Sequence, residues 1–277
     1  MERLDKILSN LGYGTRKEIK KIVKNGMVTV NGKIVKDSGV QVDPEEDEII
    51  CAGEEVIYRE FIYLIMNKPA GVISATFDNK DETVVDLLYP EHQVFEPFPV
   101  GRLDKDTVGL LLLTNDGDLN HKLISPKYHV DKVYYAEINA PVTEADVKAF
   151  AKGITLDDGY KCMPGKLVVL ENFEDSSRIE VTIQEGKYHQ VKRMFEARGK
   201  KVEYLRRIKF GNLDIDESLS EGEYRELTQE ELDLLCKDFW LIQVYTVQQK
   251  NIYFTIKWWK LLEIVNLFYY NDLCKDK

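Results

Sequence analysis

Disulfide and metal frameworks have little to build on in this chain of 277 residues. Its four cysteines, Cys51, Cys162, Cys236 and Cys274, are scattered without a CxxC pair, and His92, His121, His129 and His189 share no zinc-ligand spacing with them. We expect reduced thiols, a cytoplasmic setting and no metal. Long apolar runs are missing too. No window holds about 18 uncharged apolar residues, so no membrane span is expected, and "MERLDKILSN" lacks the apolar stretch of a signal peptide. GxGxxG, GxxxxGK[ST] and GxSxG are all absent, which removes the usual loops of dinucleotide, nucleoside triphosphate and serine-hydrolase chemistry. The net charge of −10 argues against a chain that coats nucleic acid indiscriminately.

What is present begins with a charge gradient. Residues 1–40 hold nine Lys/Arg against four Asp/Glu, whereas residues 41–60 hold one Arg against eight acids. A basic cap on an acidic body suggests an anionic partner for the cap. Leu4, Ile7, Leu8 and Leu11 follow the i, i+3, i+4, i+7 pattern of a short amphipathic helix that Gly12 suits as a stop. Thr15 and Glu18 form a T-x-x-E capping box opening a second helix, with Ile19, Ile22 and Val23 on one side. Lys17, Lys20, Lys21 and Lys24 make a stripe on another face. Four ammonium groups in one row need water, acids or phosphates around them, so the stripe reads either as a solvated face or as a phosphate-tracking surface. Asn31-Gly32 then marks a hairpin, and the cap ends after the acidic run "DPEEDE", giving a first domain over 1–58.

From Phe61 the chain is a body of mixed strands and helices. "FIYLIMNKPAGVIS", broken at Lys68-Pro69, "VGLLLLT", "VYYAEIN", "KLVVLE" and the alternating "RIEVTIQEG" read as strands. "TEADVKAFAKG", "YHQVKRMFEARG" and a segment opened by Thr228 and Glu231 read as helices. The order has no strict βαβ rhythm, which favours α+β with a largely antiparallel sheet over 59–235.

Two segments concentrate function-compatible groups. "GRLDKDTVGLLLLTNDG" packs Arg102, Asp104, Lys105 and Asp106 just ahead of the apolar run Val108–Leu113; such a loop is either simply solvated or has a job. "EGKYHQVKRM" gathers Lys187, His189, Gln190, Lys192 and Arg193 where a strand gives way to a helix. A cation from the second segment facing Asp104 would keep that carboxylate ionised, able to act as nucleophile or base. A structural salt bridge would do the same, and the residues alone do not separate the two. Tyr134 sits in a good strand, where a tyrosine commonly packs in the core.

The stretches "RLDKIL", "MNKPAG", "GRLDKDTVGLLLLTNDG", "SPKYHVDKVYYAEI", "FAKGITL", "EGKYHQVKRMF" and "GEYRELTQEE", in this order over residues 1–235, resemble bacterial pseudouridine synthases of the RsuA type, the ribosomal small-subunit branch. The resemblance implies an S4-like RNA-binding domain ahead of a pseudouridine synthase domain. It implies that Asp104 is the catalytic aspartate and Lys192 its basic partner. It further implies that Tyr134 packs on the uracil ring, that Arg102 helps hold the target nucleotide out of its helix, and that Leu205 lines the pocket. Lys187, His189, Gln190 and Arg193, with the lysine stripe, become candidate RNA contacts. The implied reaction isomerises one uridine of 16S ribosomal RNA, free or in a pre-small-subunit particle, by a monomer without cofactor. Two rivals stand beside it: a synthase for large-subunit or another RNA, and a non-catalytic RNA-binding or ribosome-assembly factor.

The pattern stops near Leu235. Residues 236–277 form an aromatic-rich extension, with Trp258 and Trp259, whose longest uncharged run is Phe239–Gln249. We expect it to be covered, because so apolar a patch is a liability when exposed. It serves as an added layer on the body's core, as a contact surface, or as an extension without a role.

Overall fold

The structure, a computed structural model, describes residues 1–237 except 45, 57 and 58. The C-terminal extension beyond Lys237, and what is expected of it, lies outside the described residues. Residues 1–235 form one compact unit, whose apolar clusters include one in the cap and one in the body.

The first cluster belongs to the basic cap. A short strand β1 (Glu2–Arg3) leads into helix α1 (Leu4–Asn10), and α2 (Arg16–Lys24) follows. Strands β2 (Val28–Val30), β3 (Lys33–Ile34), β4 (Gln41–Val42), β5 (Ile49–Cys51) and β6 (Glu54–Glu55) complete it. Leu4, Ile7, Leu8, Ile19 and Val23 are buried, so both helices turn their apolar stripes inward as their spacing demands. The capping box at Thr15 and Glu18 forms in full. Asn31 and Gly32 both take positive φ in the turn between β2 and β3. Part of the acidic run has a local purpose: Asp47 accepts from the Asn31 side-chain amide at 2.7 Å and from the Asp43 backbone at 2.8 Å, pinning that hairpin.

The body is a mixed sheet flanked by helices. Its elements are β7 (Tyr63–Lys68), α3 (Pro90–Gln93), β8 (Phe98–Pro99), β9 (Val108–Thr114), α4 (Gly117–Ile124), β10 (Lys132–Ile138), α5 (Glu144–Lys152), β11 (Lys166–Asn172), β12 (Ser177–Ile183), α6 (Gln190–Glu196), β13 (Val202–Phe210), β14 (Leu213–Asp214) and β15 (Tyr224–Glu226). Residues 229–237 are helical as well. The main sheet runs β11-β12-β10-β13-β9-β7-β15, with β14 beside β13 and β8 beside β9. Every pairing in it is antiparallel except that of β13 with β9. The α+β expectation therefore holds, with an antiparallel majority. β9 is buried along its whole length, which is why it reads as an uninterrupted apolar run rather than an alternating one.

The parallel joint depends on one glycine. Gly109, at φ +101°, lies against β13 so closely that an added Cβ would stand 2.4 Å from the Arg207 carbonyl oxygen. The register of β10 with β13 then sets Tyr134 against Arg207 and Ala136 against Leu205. Lys132, Tyr134 and Ala136 share the buried face of β10, since side chains alternate along a strand. That face forms the floor of a cleft.

Candidate active site

The cleft floor comes from the sheet, and two loops supply its walls. On one side the charged loop 101–107 precedes β9. It is held from below by the segment that follows β7. The wholly buried Lys68 donates to the carbonyls of Pro69 at 2.8 Å and Thr107 at 3.0 Å, with Lys105 farther off at 3.5 Å. Ser74 exchanges hydrogen bonds with Leu103 in both directions at 3.0 Å, and the Gly71 backbone donates to the Lys105 carbonyl at 2.7 Å. Burial pushes the Lys68 ammonium down to about 8, against the pull of Asp106 and Asp104. The four charges of the loop are thus mounted on a fixed frame.

On the other side the loop between β12 and α6 is built round Glu185. This carboxylate is 2% exposed and accepts from the Tyr160 hydroxyl at 2.7 Å, the Met163 backbone at 2.8 Å and the Gln190 amide at 2.8 Å. The hydrogen bond to Glu185 lifts the Tyr160 phenol to about 12. His189, the residue before α6, takes left-handed backbone angles, φ 49° and ψ 34°.

Across the cleft the two loops meet. Lys192 Nζ lies 3.3 Å from Asp104 Oδ2 and 2.6 Å from Asp106 Oδ1. His189 Nε2 lies 3.6 Å from Asp104 Oδ1. The expected pairing of Asp104 with a cation of the second segment is present, and Lys192 is that cation, shared with a second carboxylate. Burial works against the Lys192 charge, but the hydrogen bond to Asp106 and the field of both acids hold its pKa above the usual lysine value. The same hydrogen bond holds Asp106 below the usual carboxylate range. Asp104 itself keeps about a quarter of its side chain open to solvent, at 26%.

The floor carries Tyr134 and Leu205, 7% and 6% exposed. Arg102, Asp104, Tyr134, Lys187, His189, Gln190 and Leu205 all line the pocket, which opens into a cleft of ≈ 890 Å³. That is ample for a nucleoside, in the usual range of ligand sites. Beside Tyr134 on the neighbouring strand lies Arg207, 2% exposed, donating from Nε to the Leu110 carbonyl at 2.7 Å. Its guanidinium also sits over the Phe210 ring, 4.8 Å from the centroid. Burial lowers its pKa, and contact with Tyr134 works the other way.

The sequence points to Arg102, Lys187, His189, Gln190 and Arg193 as RNA contacts, and the structure distributes them unevenly. Arg102 and Lys187 are exposed at the cleft, Lys187 with its ammonium 4.7 Å from the Tyr160 ring centroid. Gln190 lines the pocket but is 4% exposed, with its Nε2 given to Glu185 and its Oε1 accepting from the Lys187 backbone, so it braces the loop. Arg193, from α6, has its guanidinium tied to Asp157 and, at 2.7 Å, to Asp158 in the loop after α5, and it reaches the Tyr188 carbonyl at 3.5 Å. Lys17, Lys20, Lys21 and Lys24 are all exposed along α2. Lys68, Ser74, Asp106, Glu185 and Arg207 are absent from the sequence-based site. Lys68 and Arg207 are buried charged residues of β7 and β13, a placement that no motif of the sequence marks.

Among the described residues no His, Cys, Asp and Glu group could hold a metal ion, and no helix is long and apolar enough to cross a membrane.

Comparison with known proteins shows the family. The RNA pseudouridylate synthase family matches residues 62–197, and the S4 domain matches residues 2–49. An RNA pseudouridine synthase of Bacillus subtilis (strain 168) is 53% identical over 233 residues, which are 84% of this chain and 98% of that protein. The ribosomal small subunit pseudouridine synthase A of Haemophilus influenzae is 41% identical, over 85% of this chain and all of its own length. The ribosomal large subunit pseudouridine synthase B of Bacillus subtilis is 40% identical, over 85% and 96%. A crystal structure of a pseudouridylate synthase, 40% identical, superposes with a TM-score of 0.59 over 85% of this chain and 100% of that one. With likeness of that degree along almost the full length of such relatives, the chain belongs to the RNA pseudouridine synthase family, an enzyme with an S4 domain at its amino end and RNA as its partner.

Proposed function

We propose that this chain isomerises one specific uridine to pseudouridine in 16S ribosomal RNA, free or within a pre-small-subunit particle, acting as a cytoplasmic monomer. The observation that carries the catalytic part is the Lys192 ammonium 3.3 Å from the Asp104 carboxylate at the edge of a nucleoside-sized cleft. The reaction breaks the bond from uracil N1 to the sugar, turns the base, and forms a bond from C5 to the same sugar carbon. The C5 proton leaves and N1 gains one, so atoms balance without a cofactor. Asp104 is the group that engages the nucleotide, as nucleophile or as base. Lys192, 3.3 Å away, holds it oriented.

A base in a paired helix hides the reacting atoms, so the uridine has to be everted or already unpaired. Tyr134 offers its ring to the everted base, and stacking of that kind offsets about 1–3 kcal/mol of the cost. Arg102 and Lys187 at the rim meet the phosphates, and the α2 lysines track the backbone farther away.

The large-subunit reading stays in play for one reason: the two ribosomal relatives, one named for each subunit, are 41% and 40% identical to this chain. The sequence stretches "EGKYHQVKRMF" and "FAKGITL" favour the small subunit. Incubating the protein with unmodified small- and large-subunit ribosomal RNA and mapping pseudouridines by chemical labelling tests the choice. A single new site in 16S RNA is expected; a site only in the large-subunit RNA overturns the assignment.

A further inference from the structure

We propose that Tyr188 is a stacking platform for an unpaired nucleobase next to the isomerised uridine, so that the cleft engages two nucleotides of the RNA. The proposal rests on the reading that RNA enters this cleft, and it adds a second subsite to it.

Tyr188 lines the mouth of the cleft and is 70% exposed, whereas Tyr134 on the floor is 7% exposed. Its ring lies flat against the His189 imidazole, with centroids 3.8 Å apart and planes 18° from parallel. One ring face is therefore backed, and the rest of the side chain stands in water. Aromatic rings held in this way are what sequence-tolerant recognition of single-stranded RNA employs, because every base has a π-face to offer.

The loop that presents the ring is stiff. Glu185, buried, collects hydrogen bonds from Tyr160, Met163 and Gln190, and Gln190 in turn accepts from the Lys187 backbone at 2.9 Å. Arg193 reaches the Tyr188 carbonyl at 3.5 Å. His189 sits in the left-handed region at φ 49°, where a residue other than glycine is strained by about 1–3 kcal/mol. A loop needing only to join β12 to α6 has no use for that strain with a histidine in place. It does, however, turn the imidazole so that one nitrogen lies 3.6 Å from Asp104 while the ring face supports Tyr188. The platform is thereby placed one side chain away from the catalytic carboxylate. A base seated on Tyr188 neighbours the base that Asp104 engages. The exposed cations Arg102 and Lys187 flank the same mouth and suit the linking phosphates.

The test uses the full chain and a ribosomal RNA fragment carrying the isomerised uridine, with equilibrium binding and single-turnover rates measured separately. Tyr188→Ala is expected to weaken binding by about 5- to 150-fold, the range of one lost base stack, with an unchanged melting temperature. Tyr188→Phe keeps the ring and restores affinity to within about threefold. An abasic residue at one of the two flanking positions should weaken wild-type binding by the same factor and add nothing to Tyr188→Ala. Affinity of Tyr188→Ala within twofold of wild type, or abasic losses that simply add to it, overturns the proposal. Should the wild-type chain isomerise no ribosomal uridine, the activity reading fails by itself. Tyr188 is then judged on binding to the same unmodified RNA, where equal affinities of wild type and Tyr188→Ala overturn the platform.

Discussion

Replacing Lys192 by methionine removes one charge from the centre of the site and keeps the side chain's length and most of its apolar volume. The two acids respond differently. Asp106, whose side chain is 74% exposed, regains water at little cost. Asp104, 26% exposed, loses its cation at 3.3 Å and keeps only the His189 nitrogen at 3.6 Å. A pair of unit charges 3.3 Å apart interacts by about 5 kcal/mol at an effective dielectric of about 20, and by about 1.3 kcal/mol in bulk water. The half-open cleft lies between these limits, so the carboxylate loses about 2–3 kcal/mol of stabilisation and its fixed orientation. If that loss reaches the transition state, the single-turnover rate of pseudouridine formation falls about 30- to 150-fold. The assay holds the enzyme above the RNA's dissociation constant, so that binding does not enter, and a thermal melt confirms the fold. Lys192→Arg should recover most of the rate. Asp106→Asn leaves the ammonium to Asp104 alone and should change the rate only a few-fold. A Lys192→Met rate within threefold of wild type would refute the reasoning. So would an Asp106→Asn loss as deep as that of Lys192→Met, for then the exposed acid and not Asp104 is the functional partner.

Two further outcomes follow from other parts of the chain. Changing Lys17, Lys20, Lys21 and Lys24 together to Gln should weaken RNA binding and flatten its salt dependence, because each lost phosphate contact removes a released counterion; an unchanged slope of affinity against salt excludes the α2 stripe from the RNA. Asp146, 1% exposed, takes hydrogen bonds from the Thr143 backbone and hydroxyl and from Arg198 at 2.9 Å each, with Lys200 at 3.1 Å. Burial opposes its charge, yet these donors hold its carboxyl well below the usual range. A depressed folded value means the stabilisation is complete above the unfolded pKa of about 4 and is lost as pH falls below it. Asp146→Ala should cost about 2–4 kcal/mol at pH 7 and make the melting temperature less sensitive between about pH 5 and 3; an equally steep acid fall in the variant contradicts the assignment.

Much of the architecture can be read from local pattern. The α1 and α2 stripes, the Thr15 box, the Asn31-Gly32 turn and the all-apolar β9 each carry a short-range cause, and short-range causes are visible in a string of letters. The meeting of Asp104 with Lys192 was visible only as two charge-rich segments; their separation along the chain hid the contact until resemblance supplied it. What spacing could not divide was Lys192 between two acids, since Asp104 and Asp106 look alike in the sequence. Gln190 and Arg193 show the opposite limit. A polar residue in a polar run looks available, but a buried Glu185 and the exposed pair Asp157 and Asp158 had already engaged them. Lys68 and Arg207 are the converse, charged residues that are buried, with backbone carbonyls as partners that no side-chain pattern announces.

The central claim is that Asp104 carries the chemistry. Unmodified 16S RNA incubated with wild-type protein and with Asp104→Asn, both mapped for pseudouridine and both checked for binding, tests it most directly. One new pseudouridine with wild type, and none with an Asp104→Asn protein that still binds the RNA, is the predicted result. Continued isomerisation by the asparagine variant would contradict it.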